Sequence, residues 1–181
     1  MDQGLLPRRY AKALYKYAAE KDATAGVYAL MQRISAAFSS TPGLQKALAN
    51  PFVSDADKQQ LAASAAGTVP GKDPILDDFV SLLIRNHRID LLHETAIAYE
   101  MLYRRTNNIY SVNIESAAPL SDSDRSRITS LVERHLHGAT AEYSFTVDPD
   151  LIGGFVVNIE NERLDASVRN ELEQMRQHLI S

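Results

Sequence analysis

Two hydrophobic periods divide this chain, and one regular architecture cannot serve both. From Leu6 to Leu102 apolar side chains recur every three or four residues, the repeat of one helix face. From Tyr110 the repeat falls to two: Tyr110, Val112 and Ile114 alternate with Ser111 and Asn113, as on a half-buried strand. Helical stripes and alternating strands bury their apolar sides by different packing rules, so the change of period implies two cores. The expected fold is α+β overall. An N-terminal all-α six-helix bundle over residues 1–105 precedes a small α/β domain over residues 106–181. The polar, turn-forming stretch Arg104-Arg105-Thr106-Asn107-Asn108 marks the expected boundary.

Local punctuation predicts each helix of the bundle. Leu6, Tyr10, Leu14 and Tyr17 form the first stripe. Thr24 is placed to cap a second helix carrying Val27, Leu30, Met31, Ile34 and Phe38. Thr41-Pro42 opens a short third helix through Leu44 and Leu48, which Asn50-Pro51 ends. Ser54 with Asp57 has the spacing of a capping box ahead of Leu61 and Ala65. Asp73-Pro74 begins a fifth helix with Ile75, Phe79, Leu82 and Leu83. Asp90 caps a sixth with Leu91, Leu92, Ala96, Tyr99 and Leu102.

The second segment reads as strand, helix, two strands, helix. Ser121 caps the middle helix, whose Ile128, Leu131, Val132 and Leu136 point to a core. Tyr143, Phe145 and Val147 form one alternating run, and Phe155, Val157 and Ile159 form the next. Asp148-Pro149-Asp150 supplies turn chemistry between them, and Gly153-Gly154 permits backbone angles that a Cβ obstructs. From Asp165, a predicted N-cap, Val168, Leu172, Met175 and Leu179 return to the helical period. So small a segment has a modest core and gains from a partner.

The functional classes narrow by exclusion. The chain has no cysteine, so disulfides, thiol catalysis and Cys-ligated zinc are ruled out. A net charge of -4 disfavours general nucleic-acid binding. No apolar run reaches the roughly 18 residues of a membrane span. The first residues resemble neither a secretory signal nor an import leader, so no targeting segment is expected. His135 and His137 lie two apart on a predicted helix and face different ways, unlike a helical metal clamp. Asp148 and Asp150 flank a proline and read as turn formers. Neither a phosphate loop nor a nucleophile elbow is present. No enzyme, metal or cofactor is expected.

Leu151-Ile152-Gly153-Gly154-Phe155-Val156-Val157-Asn158-Ile159, followed by Leu164-Asp165-Ala166-Ser167-Val168-Arg169, resembles a known signature. It is the C-terminal signature of the F-type ATP synthase delta subunit family, which includes the oligomycin-sensitivity-conferring protein. Arg9-Tyr10-Ala11-Lys12-Ala13-Leu14 with Tyr17-Ala18 is similar to that family's opening helix. Asn50-Pro51 with Lys58, then Phe79-Val80-Ser81-Leu82-Leu83 with Asn86-His87-Arg88, follow in the expected order. Val112-Asn113-Ile114-Glu115-Ser116-Ala117 with Pro119-Leu120-Ser121 resembles the start of the family's second half, so the likeness spans nearly the whole chain. One departure is Glu160-Asn161-Glu162-Arg163, which stands where many relatives turn on a glycine; Asn161 tolerates the left-handed conformation needed there.

The resemblance implies a non-catalytic stator component. It links the catalytic alpha-beta hexamer to the peripheral b-subunit stalk and resists rotor torque during proton-driven ATP synthesis. Its implied place is the cytoplasmic face of the bacterial cell membrane, held there indirectly through the complex and without a cofactor. The resemblance also implies that the bundle receives the N-terminal helix of one alpha subunit between its first and fifth helices. Carried onto matching positions, that nominates Tyr10, Ala11, Ala13, Leu14 and Tyr17 with Phe79, Leu82, Leu83 and Asn86. The C-terminal region of the b subunits is expected on the final helix, at Val168, Leu172, Met175 and Leu179. The family motif maps to Leu151, Ile152, Gly153, Gly154, Asp165 and Ser167. Periodicity alone favours core packing for these same apolar stripes. Two other classes stand beside this one: a helical protein-protein adaptor of the same architecture outside ATP synthase, and a hydrolase using Asp148, Asp150 and a distant histidine.

Overall fold

The stripes of the first segment converge on one core in the computed structural model, which describes residues 4–136, 138–151, 153–160 and 162–167. The chain divides into two units, Met1–Tyr103 and Arg104–Ser181. The first holds α1 (Leu5–Glu20), α2 (Thr24–Ser40), α3 (Leu44–Ala49), α4 (Asp55–Ala65) and α5 (Pro74–Arg85). A 3-10 turn at Ile89–Leu91 then leads into α6 (Leu92–Asn107). Leu14 of α1, Met31 and Ile34 of α2, Leu48 of α3, Leu76 and Leu83 of α5, and Leu92 and Tyr99 of α6 meet in the interior. Tyr99 is fully buried, and its hydroxyl donates to the Thr24 carbonyl at 3.1 Å, which ties α6 to the start of α2. Burial, reinforced by Tyr15 and Tyr103, pushes the Tyr99 phenol well above its ordinary pKa.

Several helix starts follow local chemistry. The Ser54 hydroxyl accepts the Asp57 N–H at 3.1 Å, and Pro74 occupies the first turn of α5. Others shift. Thr24 is the first residue of α2, with Ala23 at the cap position; α3 begins only at Leu44; Asp90 lies inside the 3-10 turn instead of capping α6. The expected boundary stretch is also helical as far as Asn107. Arg104 and Arg105 sit in the last turn of α6, where cations favour the helix dipole. Asn108 then takes a left-handed conformation (φ 53°), which asparagine tolerates better than most residues, and the helix stops.

The second unit contains β1 (Ile109–Ser116), α7 (Asp122–His135), β2 (Thr140–Val147), β3 (Gly154–Ile159) and β4 (Glu162–Ser167). The sheet order is β2-β1-β3-β4. The α7 crossover brings β2 alongside β1 in parallel, and the β1–β3 and β3–β4 pairs are antiparallel. Ser121 caps α7, accepting the Asp124 N–H at 3.2 Å. Ile128 and Val132 of α7 cover Val112, Ile114, Val157 and Ile159 on one sheet face. The opposite face sets a cross-linked polar patch beside the fully buried Val156. Ser144 and Thr146 donate to Asn113 Oδ1 at 3.0 and 2.9 Å, while Asn113 and Asn158 donate to Glu115 Oε1 at 2.9 and 3.1 Å.

The α+β class holds, with a fourth strand added. Asp165 is not a helix N-cap: it lies within β4, opposite Val156 of β3. Pairing explains the difference, because β4 satisfies the backbone groups that β3 would otherwise leave bare at a sheet edge. Glu160 supplies the left-handed geometry (φ 46°) at the end of β3, in the place where a glycine was expected. Asn161 and the predicted final helix lie outside the described residues.

Candidate functional site

α1 and α5 run antiparallel, and two hydrogen bonds clip them together. The Tyr17 hydroxyl donates to Asp78 Oδ2 at 2.7 Å, and Asn86 Nδ2 donates to the Tyr10 hydroxyl at 3.3 Å. Rising numbers on α1 therefore meet falling numbers on α5. Between the clips lies a shallow seam whose geometry follows from helical spacing. Tyr10, Ala13 and Tyr17 share one face of α1, whereas Ala11, Leu14 and Ala18 lie about 100° further round and enter the core.

The nine nominated residues thus split by location. Ala11, Leu14, Phe79 and Leu83 are buried in the bundle core, Leu14 with only 2% of its surface exposed. Tyr10 and Tyr17 are half-buried at the seam, and Ala13, Leu82 and Asn86 are exposed there; Leu82 keeps 39% of its surface open. Leu6 is exposed to the same degree and extends the α1 stripe by one turn. Asp78 is a seam residue that sequence reasoning passed over. Its signal was present: it stands one turn before Leu82 on the same face of α5.

The motif residues form a second constellation, built for shape. Gly154 pairs with Ser167 across β3 and β4, so the two halves of the motif meet in space. Gly154 has φ 82°, and a Cβ there would strike the Ala166 carbonyl oxygen and come within 2.9 Å of Ser167 Cα. Asp165 Oδ1 accepts the Ser167 N–H at 3.0 Å. Hydrogen bonds from Ser167, with Arg163 nearby, hold the Asp165 carboxyl below its ordinary pKa. Leu151 is half-buried and Gly153 lies in the bend before β3; Ile152 is outside the described residues. So are the stalk candidates Val168, Leu172, Met175 and Leu179.

Among the described residues, no group of three or more His, Asp or Glu side chains is disposed to hold a metal. Asp148 Oδ1 accepts the Asp150 N–H at 3.0 Å, the turn expected of that pair. His135 faces Glu162 at 3.3 Å on an exposed surface, and His93 stacks on Phe38 at 4.7 Å. No described helix is long and apolar enough to cross a membrane.

The sequence matches the model of the family described as ATP synthase delta (OSCP) subunit over residues 6–179. It is 35% identical over 180 residues to the ATP synthase subunit delta of Parabacteroides distasonis, covering 99% of this chain and 98% of that one. It is 34% identical over 176 residues to the ATP synthase subunit delta of Acinetobacter baumannii, covering 97% of each chain. In structure it is similar to a chain of the Toxoplasma gondii mitochondrial ATP synthase hexamer. That match has a TM-score of 0.71 at 19% identity and covers 97% of this chain and 98% of that one, a likeness of fold.

Proposed function

We propose, from the premise that this chain belongs to the ATP synthase delta (OSCP) subunit family, that it is a stator. In this reading the first unit holds the N-terminal helix of one alpha subunit, and the second holds the C-terminal region of the b-subunit stalk. The rotor strains the catalytic sites of an alpha-beta hexamer only if the hexamer is kept from turning with the shaft. A protein gripping the hexamer with one unit and the anchored stalk with the other supplies that restraint mechanically. It is a structural subunit, peripheral to the membrane on its cytoplasmic face through the complex. Linking two modest interfaces raises the effective concentration of each, so the joint outlasts either contact alone.

The observation that carries this reading is the end-to-end family match of a chain with two separately cored units. The α1/α5 seam adds support at the level of residues. Leu82 and Ala13 lie exposed between two phenol-anchored clips, over an interior already filled by Leu14, Phe79 and Leu83. Such a surface suits the apolar face of an amphipathic helix.

The test is calorimetric titration of the full chain with a synthetic peptide of the alpha-subunit N-terminus from the same organism. Leu82→Asp is the informative variant, because Leu82 is exposed and the fold does not depend on its burial. Leu14→Asp would place a charge in the core and report only unfolding. Saturable binding that weakens about tenfold or more in Leu82→Asp is the expected result, a carboxylate having been buried beneath the partner. No binding by a folded chain overturns the α1/α5 seam as the docking site of that helix and leaves the first unit's contact with the hexamer to another surface.

A further inference from the structure

The tyrosines of the first unit are fixed by apolar packing, with one exception at the seam. Tyr28 and Tyr99 belong to the bundle core, and Tyr10, Tyr15 and Tyr103 pack against it. Tyr17 is half-buried but does not join them. Its holds are polar. The hydroxyl donates to Asp78 Oδ2 at 2.7 Å, the short length of a charge-assisted bond, and Lys21 Nζ stands 5.1 Å from the ring centroid. Asp78 and Lys21 are both exposed, and contacts of these kinds add little to stability at an open surface. The side chains along the seam do not wedge the ring either. Ala13, one turn before Tyr17 on α1, is small and exposed, and Leu82, one turn beyond Asp78 on α5, is open to solvent. A phenol so placed would exchange among rotamers if its hydroxyl were released.

We infer that Asp78 is a positioning residue of the seam, acting through Tyr17. It fixes the phenol ring in one rotamer, so that a wall of the seam stands ready before the apolar face of a helix arrives. Tyrosine suits the task because it offers a wide contact with few rotatable bonds. A loose side chain must be ordered when the partner binds, at a cost in affinity that a ring held beforehand avoids. Tyr10 needs no such support, because its ring rests on the core whether or not Asn86 bonds its hydroxyl. This inference rests on the seam being the docking site, and it adds a residue that prepares the site.

The test titrates the alpha N-terminal peptide into the full chain carrying Asp78→Ala, Asp78→Asn, Tyr17→Phe, or Asp78→Ala with Tyr17→Phe. Asp78→Ala should weaken binding about three- to tenfold, the range set by ordering one side chain. Asp78→Asn should restore most of it, since the amide oxygen still accepts the phenol proton while the charge is gone. Tyr17→Phe should match Asp78→Ala, and the double variant should be no weaker than either single one. Amide exchange of α1 and α5 should stay unchanged throughout, which separates positioning from a clip that merely holds the two helices together. Unaltered binding by Asp78→Ala, an equal loss in Asp78→Asn, or faster exchange of α1 and α5 in Asp78→Ala each overturns the positioning role and leaves the docking site standing. Absence of saturable binding by the unsubstituted chain overturns the docking site itself, and this inference with it.

Discussion

Gly154→Ala tests whether the C-terminal motif is a fold requirement. Holding alanine at φ 82° costs about 1 kcal/mol. The new Cβ would also meet the Ala166 carbonyl oxygen and stand 2.9 Å from Ser167 Cα, both backbone atoms of β4. Neither can rotate away, so β4 must part from β3 near the Gly154–Ser167 pair. Losing about two ladder hydrogen bonds costs about 1 kcal/mol each, which brings the total to about 3 kcal/mol. A domain of this size is stable by only about 4 to 12 kcal/mol, so a large share is lost. The expected midpoint shift is about 12–24 °C for this unit. Hydrogen exchange read by peptide is the appropriate assay, since a global melting curve mixes this unit with the helical one. Protection of the most stable amides of β1 and β3 should fall about a hundredfold while α1 to α6 keep theirs. Gly26→Ala is the control: Gly26 lies in α2 with open space where its Cβ would go, and the variant should be neutral or slightly more stable. Unchanged exchange of β3 in Gly154→Ala would refute the reasoning.

Two further outcomes follow from the bundle core. The Tyr99 phenol titrates at about its ordinary 10.0 in the unfolded chain and higher in the native one, so its stabilising contribution is complete below pH 10. It is lost as pH rises from there toward the raised native value, at about 1.4 kcal/mol per pH unit. Tyr99→Phe should cost about 1 kcal/mol at neutral pH through the lost bond to the Thr24 carbonyl. It should also flatten the alkaline limb of stability measured by urea unfolding, and an equally steep limb would count against Tyr99. Thr95 is fully buried, and its hydroxyl has no hydrogen-bond partner among the described residues. Thr95→Val should therefore raise the urea midpoint, by about 1 kcal/mol in stability, and a lowered midpoint would mean that the hydroxyl is satisfied.

Much of this was legible in the sequence because it depends on neighbours within a few positions. The helical stripes, the change of period near Tyr110, and the caps at Ser54 and Ser121 are properties of short stretches of chain. The motif was visible too, but its reason was not. Gly154 and Ser167 are adjacent only once β4 pairs with β3, and until then Asp165 has the local chemistry of a helix start. A six-residue strand takes its conformation from its partner, so tertiary pairing overruled the N-cap preference. The seam shows the same division of labour. By itself the sequence determined that Tyr10, Ala11, Ala13, Leu14 and Tyr17 form a broad apolar arc on one helix. Only the packing of α5 against α1 decided that Leu14 is core while Ala13 and Tyr17 border a surface, because burial is set by which neighbouring helix closes over each side of the arc.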